Sequence, residues 1–229
     1  MRKIVLDTET TGLNPLDGHR IIEIGCVELE DNLPTGKEWH TYLNPERAVP
    51  EAAQAVHGLD EKFLSDKPFF KEVYSDFISF LGEAELVIHN AKFDIGFLNN
   101  EIIMLKKPLI EMTKTIDTVH LARKLIPGAA ASLDALCKRF NIDISKREKH
   151  GALLDAQLLA EVYLELTGGR QASLVLEGPE EKSYKKQLHD NIKDLKPNTL
   201  KATLTEEELN KHNKLIKKMK SSVWLKQSL

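Results

Sequence analysis

Two carboxylates follow an apolar, strand-like segment near the beginning of the chain. Residues 4–6 (Ile-Val-Leu) lead directly into Asp7, and Glu9 comes two positions later. Successive side chains of a strand point to opposite faces, so Asp7 and Glu9 share one face. Two carboxylates about 4 Å apart repel each other by roughly 4 kcal/mol at an effective dielectric constant near 20. A cation, a shared proton or an open, solvated strand end would relieve that repulsion.

Two further acids and a histidine lie at the edges of other apolar elements. Asp94 stands in the first turn of a predicted helix, where the helix dipole favours an acid for stability alone. His150 precedes a second helix on a loop hinged by glycine, and Asp155 lies inside that helix beside its apolar face. A single histidine before a helix is usually a cap or a solvated residue.

Taken together, four acids and one histidine suit hydrolysis assisted by two metal ions. Magnesium prefers carboxylate oxygens and keeps several waters, which leaves room for a substrate phosphate. Two ions about 3.5–4 Å apart stabilise both the attacking and the leaving oxygen of a displacement at phosphorus. His150 has an imidazole that can accept a proton from water near neutral pH. Carboxylates alone do not distinguish Mg²⁺ from Mn²⁺.

The elements that must position these residues alternate between strand and helix after an initial meander. We predict an α/β fold with a mixed sheet flanked by helices. Turn residues at 14–18 and 33–36 separate the first three strands. The predicted strands are 3–8, 21–29, 38–43, 85–89 and 115–117, and the predicted helices are 50–56, 71–81, 93–105, one capped by Ser132, and 152–166.

Composition and charge divide the chain into a body and a tail. Residues 1–169 carry 19 Lys and Arg against 27 Asp and Glu, a net charge of −8, whereas residues 170–229 carry 13 against 8, a net charge of +5. So acidic a body is unusual for a nucleic-acid binder that relies on phosphate neutralisation alone, although bound metal ions can reverse the local sign of the charge. No apolar run is long enough to span a membrane, and we expect a cytoplasmic protein with two buried thiols, Cys26 and Cys137.

Three segments resemble the motifs of the DEDDh exonuclease family, in order and at suitable separations. They are Asp7-Thr8-Glu9-Thr10-Thr11-Gly12, His89-Asn90-Ala91-Lys92-Phe93-Asp94 and His150-Gly151-Ala152-Leu153-Leu154-Asp155-Ala156. The resemblance implies a ribonuclease-H-like fold and the removal of 3′-terminal nucleotides as 5′-monophosphates. It implies that Asp7 bridges both metal ions, that Glu9 and Asp155 complete the sites, that Asp94 acts through water, and that His150 is the general base.

The same resemblance implies residues that bind the substrate. The backbone around Glu9 and Thr10 would meet the terminal nucleotide, and Asn90 and Phe93 resemble pocket residues. His57, in the segment Val56-His57-Gly58-Leu59, would pack near the terminal base or sugar; a turn histidine beside a glycine is an equally good interpretation of the spacing.

The tail resembles that of the proofreading epsilon subunits of bacterial DNA polymerase III. Residues 171–176, with Gln171, Leu174 and Leu176 as anchors, resemble a peptide that binds the sliding clamp. Residues 202–229 carry a capping box, Thr205-x-x-Glu208, and an apolar stripe with Leu209, Leu215 and Trp224. A basic amphipathic helix of this kind suits nucleic acid or a membrane surface as well as a protein pocket. The resemblance implies that the stripe binds the polymerase alpha subunit. A small third core subunit is a further partner that the resemblance allows.

The resemblance implies a proofreading exonuclease with a domain at 1–169, a linker at 170–201 and a polymerase-binding tail at 202–229. A frayed 3′ end is the preferred substrate, because a mismatched terminus costs less to unstack. Two alternatives stay open. A free-standing DEDDh exoribonuclease would need no tail, and a scaffold joining clamp and polymerase would be unaffected chemically by Asp7→Ala. For a metal site, alanine at Asp7 or Asp155 should abolish hydrolysis with little loss of folding.

Overall fold

A computed structural model of the chain describes residues 1–145, 147, 149–168 and 205–218. The contacts divide the chain into two compact units, residues 1–174 and 175–229. The clamp-binding-like anchors Gln171, Leu174 and Leu176, the linker and Trp224 lie outside the described residues. No helix within the described part of the chain is long and apolar enough to cross a membrane.

A five-stranded mixed sheet forms the centre of the first unit, in the order β3-β2-β1-β4-β5. Strand β1 pairs antiparallel with β2 and parallel with β4, so it lies in the middle of the sheet. The predicted fold class is confirmed. The strands are β1 (Arg2–Thr10), β2 (Ile21–Glu30), β3 (Leu33–Tyr42), β4 (Glu85–Ile88) and β5 (Thr115–Asp117).

Helices cover both faces of this sheet. Alternate residues of β1 enter two separate cores: Ile4 and Leu6 pack with α3 and α4, whereas Val5 packs with α5, α6 and α7. Cys26 and Cys137 are buried free thiols, as predicted. The helices are α1 (Glu51–His57), α2 (Glu61–Leu64), α3 (Phe70–Leu81), α4 (Ala91–Met104), α5 (Thr118–Leu125), α6 (Leu133–Phe140) and α7 (Ala152–Leu166), with 3₁₀ turns at Pro15–Asp17 and Met112–Lys114.

The turn predicted at 33–36 is wrong. The chain reverses at Asp31 and Asn32, which both have positive φ, and Leu33 and Pro34 already pair with β2. Aspartate and asparagine tolerate the left-handed conformation that a two-residue hairpin requires. Pro34 is accommodated because β3 is an edge strand.

Two short helices, α2 and α5, were not predicted from the sequence. Asp60 caps α2 by accepting a hydrogen bond from the Phe63 amide, and Asp117 caps α5 by accepting from the Val119 amide. Both caps satisfy amide groups that a helix start leaves unpaired. Asp117 also ends β5, so one residue serves as both the end of a strand and the start of a helix.

The described part of the second unit is a single helix, α8 (Glu206–Lys218). The predicted capping box is present: the amide of Thr205 donates to Glu208, and the amide of Glu208 donates to the Thr205 hydroxyl oxygen. Leu209 and Leu215 are about half exposed or more, at 49% and 62%. Within the described residues of this unit, α8 therefore carries exposed apolar side chains.

Candidate active site

The carboxyl end of β1 brings the three predicted motifs together. Asp7, Glu9, Asp94, His150 and Asp155 all line one cleft of about 280 Å³. One ligand atom from each of Glu9, His150 and Asp155 lies within 4.8 Å of the other two. Residues far apart in sequence thus form one acidic centre with a histidine at its edge.

Both faces of the sheet contribute acids to this centre. Asp7 lies opposite Gly25 in the β1–β2 pairing, on the face that packs against α7. Asp94 comes from the first turn of α4, on the other face, and accepts a 2.7 Å hydrogen bond from the hydroxyl of Thr8. Since Thr8 lies between Asp7 and Glu9 and points away from them, it connects Asp94 to the strand end that carries the other acids.

Asp155 and His150 are held by an arginine that the sequence analysis did not select. Arg147 donates from Nε to Asp155 Oδ1 at 2.5 Å and from Nη2 to Asp155 Oδ2 at 2.6 Å. Its Nη2 is also 2.8 Å from His150 Nδ1, and His150 Nδ1 is 3.1 Å from Asp155 Oδ2. Arg147 stands three positions before His150 in a charged loop, which is the only sequence signal it gives.

Burial and mutual repulsion raise the pKa values of three acids. The pKa of Glu9 rises to about 8, chiefly because of burial and then because of Asp155 and Glu23. Burial, followed by the charges of Asp94 and Glu9, holds the pKa of Asp7 well above its ordinary value. Burial also raises the pKa of Asp94 to about 7, although the Thr8 hydrogen bond opposes the shift. Without a cation, the centre is therefore protonated in part.

The donor set fits a hard divalent cation. Carboxylate oxygens surround the centre, and a histidine lies at its rim. Such oxygen-rich sites suit Mg²⁺ or Mn²⁺. Positive charge supplied there would remove the repulsion that raises the carboxyl pKa values.

A larger groove of about 620 Å³ adjoins the acidic centre, and four of the five predicted substrate residues line it: Glu9, Thr10, His57 and Phe93. The fifth, Asn90, lines a neighbouring depression of about 480 Å³ beside Phe93. Glu9 and Phe93 belong to both the groove and the acidic cleft, so the two spaces are continuous.

His57 lines this groove and carries a buried hydrogen-bond donor that no described residue accepts. Its Nδ1 accepts a 3.0 Å hydrogen bond from the Leu59 amide, so the proton of the neutral ring is on Nε2. That Nε2 is the only buried side-chain polar atom among the described residues that has no hydrogen-bond partner. Burial lowers the pKa of His57, which keeps the ring neutral. His57 therefore lines the groove as a neutral ring whose Nε2–H is buried and has no partner among the described residues.

Comparison with known proteins agrees with this geometry. Residues 4–163 match the family model described as an exonuclease. The chain is 48% identical over 223 residues to DNA polymerase III subunit epsilon of Rickettsia prowazekii, covering 96% of this chain and 97% of the relative. It is 51% identical over 185 residues to DNA polymerase III subunit epsilon of Escherichia coli K12, covering 77% and 76%.

The solved structures share the fold. The nuclease domain of 3′hExo, a DEDDh family member bound to rAMP, superposes with a TM-score of 0.63 at 19% identity, over 72% of this chain and 91% of that domain. The chain belongs to the exonuclease family, in the group of the DNA polymerase III epsilon subunits. The prediction of a proofreading 3′–5′ exonuclease is thereby confirmed, and enzymes of this family depend on divalent metal ions.

Proposed function

We propose that this chain hydrolyses frayed or single-stranded DNA 3′ ends to 5′-monophosphates at a centre of two divalent cations. Asp7 would bridge the ions, Glu9 and Asp155 would complete their sites, and Asp94 would act through water. When bound, the ions supply Lewis-acid stabilisation to the attacking and leaving oxygens. The observation that carries the proposal is the convergence of Glu9, His150 and Asp155 within 4.8 Å.

His150 is the general base in this proposal. Its side chain is 46% exposed at the mouth of the cleft, where water and substrate have access. With a proton on Nδ1, the ring donates to Asp155 Oδ2 and keeps a lone pair on Nε2. That lone pair accepts the proton of the attacking water, and Asp155 stabilises the resulting imidazolium.

The groove beside the centre would hold the terminal nucleotide. Nε2–H of His57 would donate to a sugar or base acceptor, and the Phe93 ring offers an apolar surface for stacking. Glu9 and Thr10 would meet the same nucleotide through their backbone, with Asn90 at the outer edge.

The test is nucleotide release from a 5′-labelled primer with a mismatched 3′ end, with Mg²⁺ or with EDTA. We expect a metal-dependent ladder from wild type and a steep loss with His150→Ala. His120→Ala, at an exposed histidine of α5, is the matched control and should retain activity. A folded wild-type chain that gives no ladder, or a His150→Ala variant as active as the control, would overturn the assignment.

We further propose that the chain works in the bacterial cytoplasm as a polymerase III core subunit. The exonuclease domain would be 1–169, the linker 170–201 and the alpha-binding tail 202–229, with Leu209, Leu215 and Trp224 as contacts. Exposure of Leu209 and Leu215 on α8 supports the tail's role. Gln171, Leu174 and Leu176 would bind the sliding clamp, and a small third subunit would complete the core.

Deleting residues 202–229 separates this proposal from a free-standing exoribonuclease. We expect the truncated chain to keep hydrolysing DNA primers while losing binding to purified alpha subunit in size-exclusion chromatography. Leu174→Ala with Leu176→Ala should weaken binding to the clamp alone. A truncated chain that still binds alpha, or a wild-type chain that degrades only RNA, would contradict the proposal.

A further inference from the structure

Arg147 occupies the acidic centre without a role in the mechanism above. Its side chain is only 8% exposed and uses both oxygens of Asp155 at 2.5 and 2.6 Å. Its remaining terminal nitrogen donates to Asp134 at the rim of the cleft. Asp155 is one of the proposed metal ligands, so the guanidinium supplies a positive charge to the carboxylate that would bind the ion.

The same arginine decides which nitrogen of His150 carries the proton. A guanidinium only donates hydrogen bonds, so its 2.8 Å contact requires a lone pair on His150 Nδ1. The neutral ring then carries its proton on Nε2. The 3.1 Å contact from Nδ1 to Asp155 Oδ2 requires the opposite tautomer. One atom cannot serve both contacts at once, so each tautomer of His150 makes only one of them a hydrogen bond.

With Arg147 engaged, Asp155 has both oxygens covered and His150 has no lone pair on Nε2. With Arg147 withdrawn, Asp155 is open to a metal ion and His150 can donate from Nδ1 and accept at Nε2. We propose that Arg147 is a built-in competitor of the metal ion, whose release from Asp155 frees the ligand and sets the tautomer of His150 together. This inference rests on the proposed function of the two residues.

Asp134 provides a second counter-charge for the Arg147 guanidinium. Asp134 is 62% exposed and lies at the start of α6, at the rim of the cleft. A guanidinium displaced from Asp155 can keep this rim contact, so release does not leave it without a counter-charge. The entering cation replaces the positive charge of the departing arginine. The net charge beside Glu9 and Asp7 therefore does not become strongly negative.

Metal binding to the full chain without DNA tests the competition. Titration calorimetry with Mn²⁺ should show affinity about tenfold tighter for Arg147→Gln than for wild type, within the usual range of coupling between two ligands. Arg139→Gln, which removes the same charge from an exposed position of α6, should match wild type. Equal Mn²⁺ affinity for wild type, Arg147→Gln and Arg139→Gln would overturn the proposal.

Two further measurements keep the outcomes separate. Asp155→Asn should lose Mn²⁺ affinity, and if this variant binds Mn²⁺ like wild type, the proposed metal site fails. If Asp155→Asn loses affinity while Arg147→Gln binds like wild type, only the arginine proposal fails. Imidazole ¹⁵N spectra should show an unprotonated Nδ1 of His150 in metal-free wild type and a protonated Nδ1 in Arg147→Gln. A wild-type spectrum in Arg147→Gln would overturn the proposal.

Discussion

Gly25 lies directly across from Asp7 on the neighbouring strand, and the space left by its missing side chain holds the first turn of α7. A Cβ on Gly25 would lie 2.3 Å from the Leu153 amide nitrogen and 2.4 Å from the Ala152 carbonyl carbon. Both atoms are backbone, so no rotamer change could relieve the contact. The close packing of α7 on β2 is what places His150 and Asp155 over Asp7.

Gly25→Ala should therefore damage both the fold and the active site. Overpacking at this position should cost about 1–3 kcal/mol in the free energy of unfolding, and movement of α7 should reduce kcat. Denaturant unfolding and primer degradation measure the two effects. Gly96→Ala is the matched control, because a Cβ there has no neighbour within 4 Å. A Gly25→Ala variant that behaves like this control would show that α7 does not depend on the gap.

Removing Asp7 and removing Asp155 should have opposite effects on stability. Asp7→Asn relieves repulsion in the acidic centre, and we expect the metal-free melting temperature to rise or stay constant while hydrolysis falls to background. Asp155→Asn takes the partner from buried Arg147, which should cost about 3 kcal/mol. The sequence alone predicted little loss of folding for both. Equal melting temperatures in EDTA for the two variants would contradict the role given to Arg147.

Thr8→Val should weaken the connection between β1 and α4. The change removes the hydroxyl that donates to Asp94 at 2.7 Å, and loss of one buried hydrogen bond to a carboxylate should cost about 1–3 kcal/mol. The pKa of Asp94, already raised to about 7, should rise further because that hydrogen bond opposes the shift. Denaturation and primer degradation measure the loss, and Thr8→Ser should restore wild-type values. Failure of serine to do so would exclude the hydroxyl as the cause.

The metal-free chain should become less stable as the pH rises. Glu9 has an ordinary pKa of 4.5 and a folded-state pKa of about 8, so between these values the folded state binds more protons than the unfolded state. Stability then falls with increasing pH across that window. Thermal melting in EDTA at pH 5.5 and 8 should show the decline, and Mg²⁺ should raise the melting temperature more at pH 8. Glu9→Gln should reduce the difference in melting temperature between pH 5.5 and pH 8. An unchanged difference would show that other groups cause the pH dependence.

The sequence predicted the elements that depend on local pattern. The side-chain period of a strand placed Asp7 and Glu9 on one face, and the bounds of β5 and α7 agree with the predicted 115–117 and 152–166. Three motifs in order were enough to select the four acids and the histidine of the acidic cleft, although not its other lining residues. The hairpin turn was misplaced because Pro34 is a strong turn signal in sequence and yet fits an edge strand.

Tertiary structure alone decided the contacts between distant segments. Thr8 and Asp94 are 86 positions apart, and nothing in either motif shows that a hydroxyl of one holds the carboxylate of the other. Nothing in the sequence distinguishes Gly25 from other strand residues, whereas the structure packs the backbone of α7 against it. In the sequence Arg147 is one of several charged loop residues, and only the structure shows that its guanidinium contacts Asp155. Side-chain periodicity determines local geometry, and each segment contains that periodicity. Contacts between distant segments depend on how the helices pack on the sheet, and no single segment contains that information.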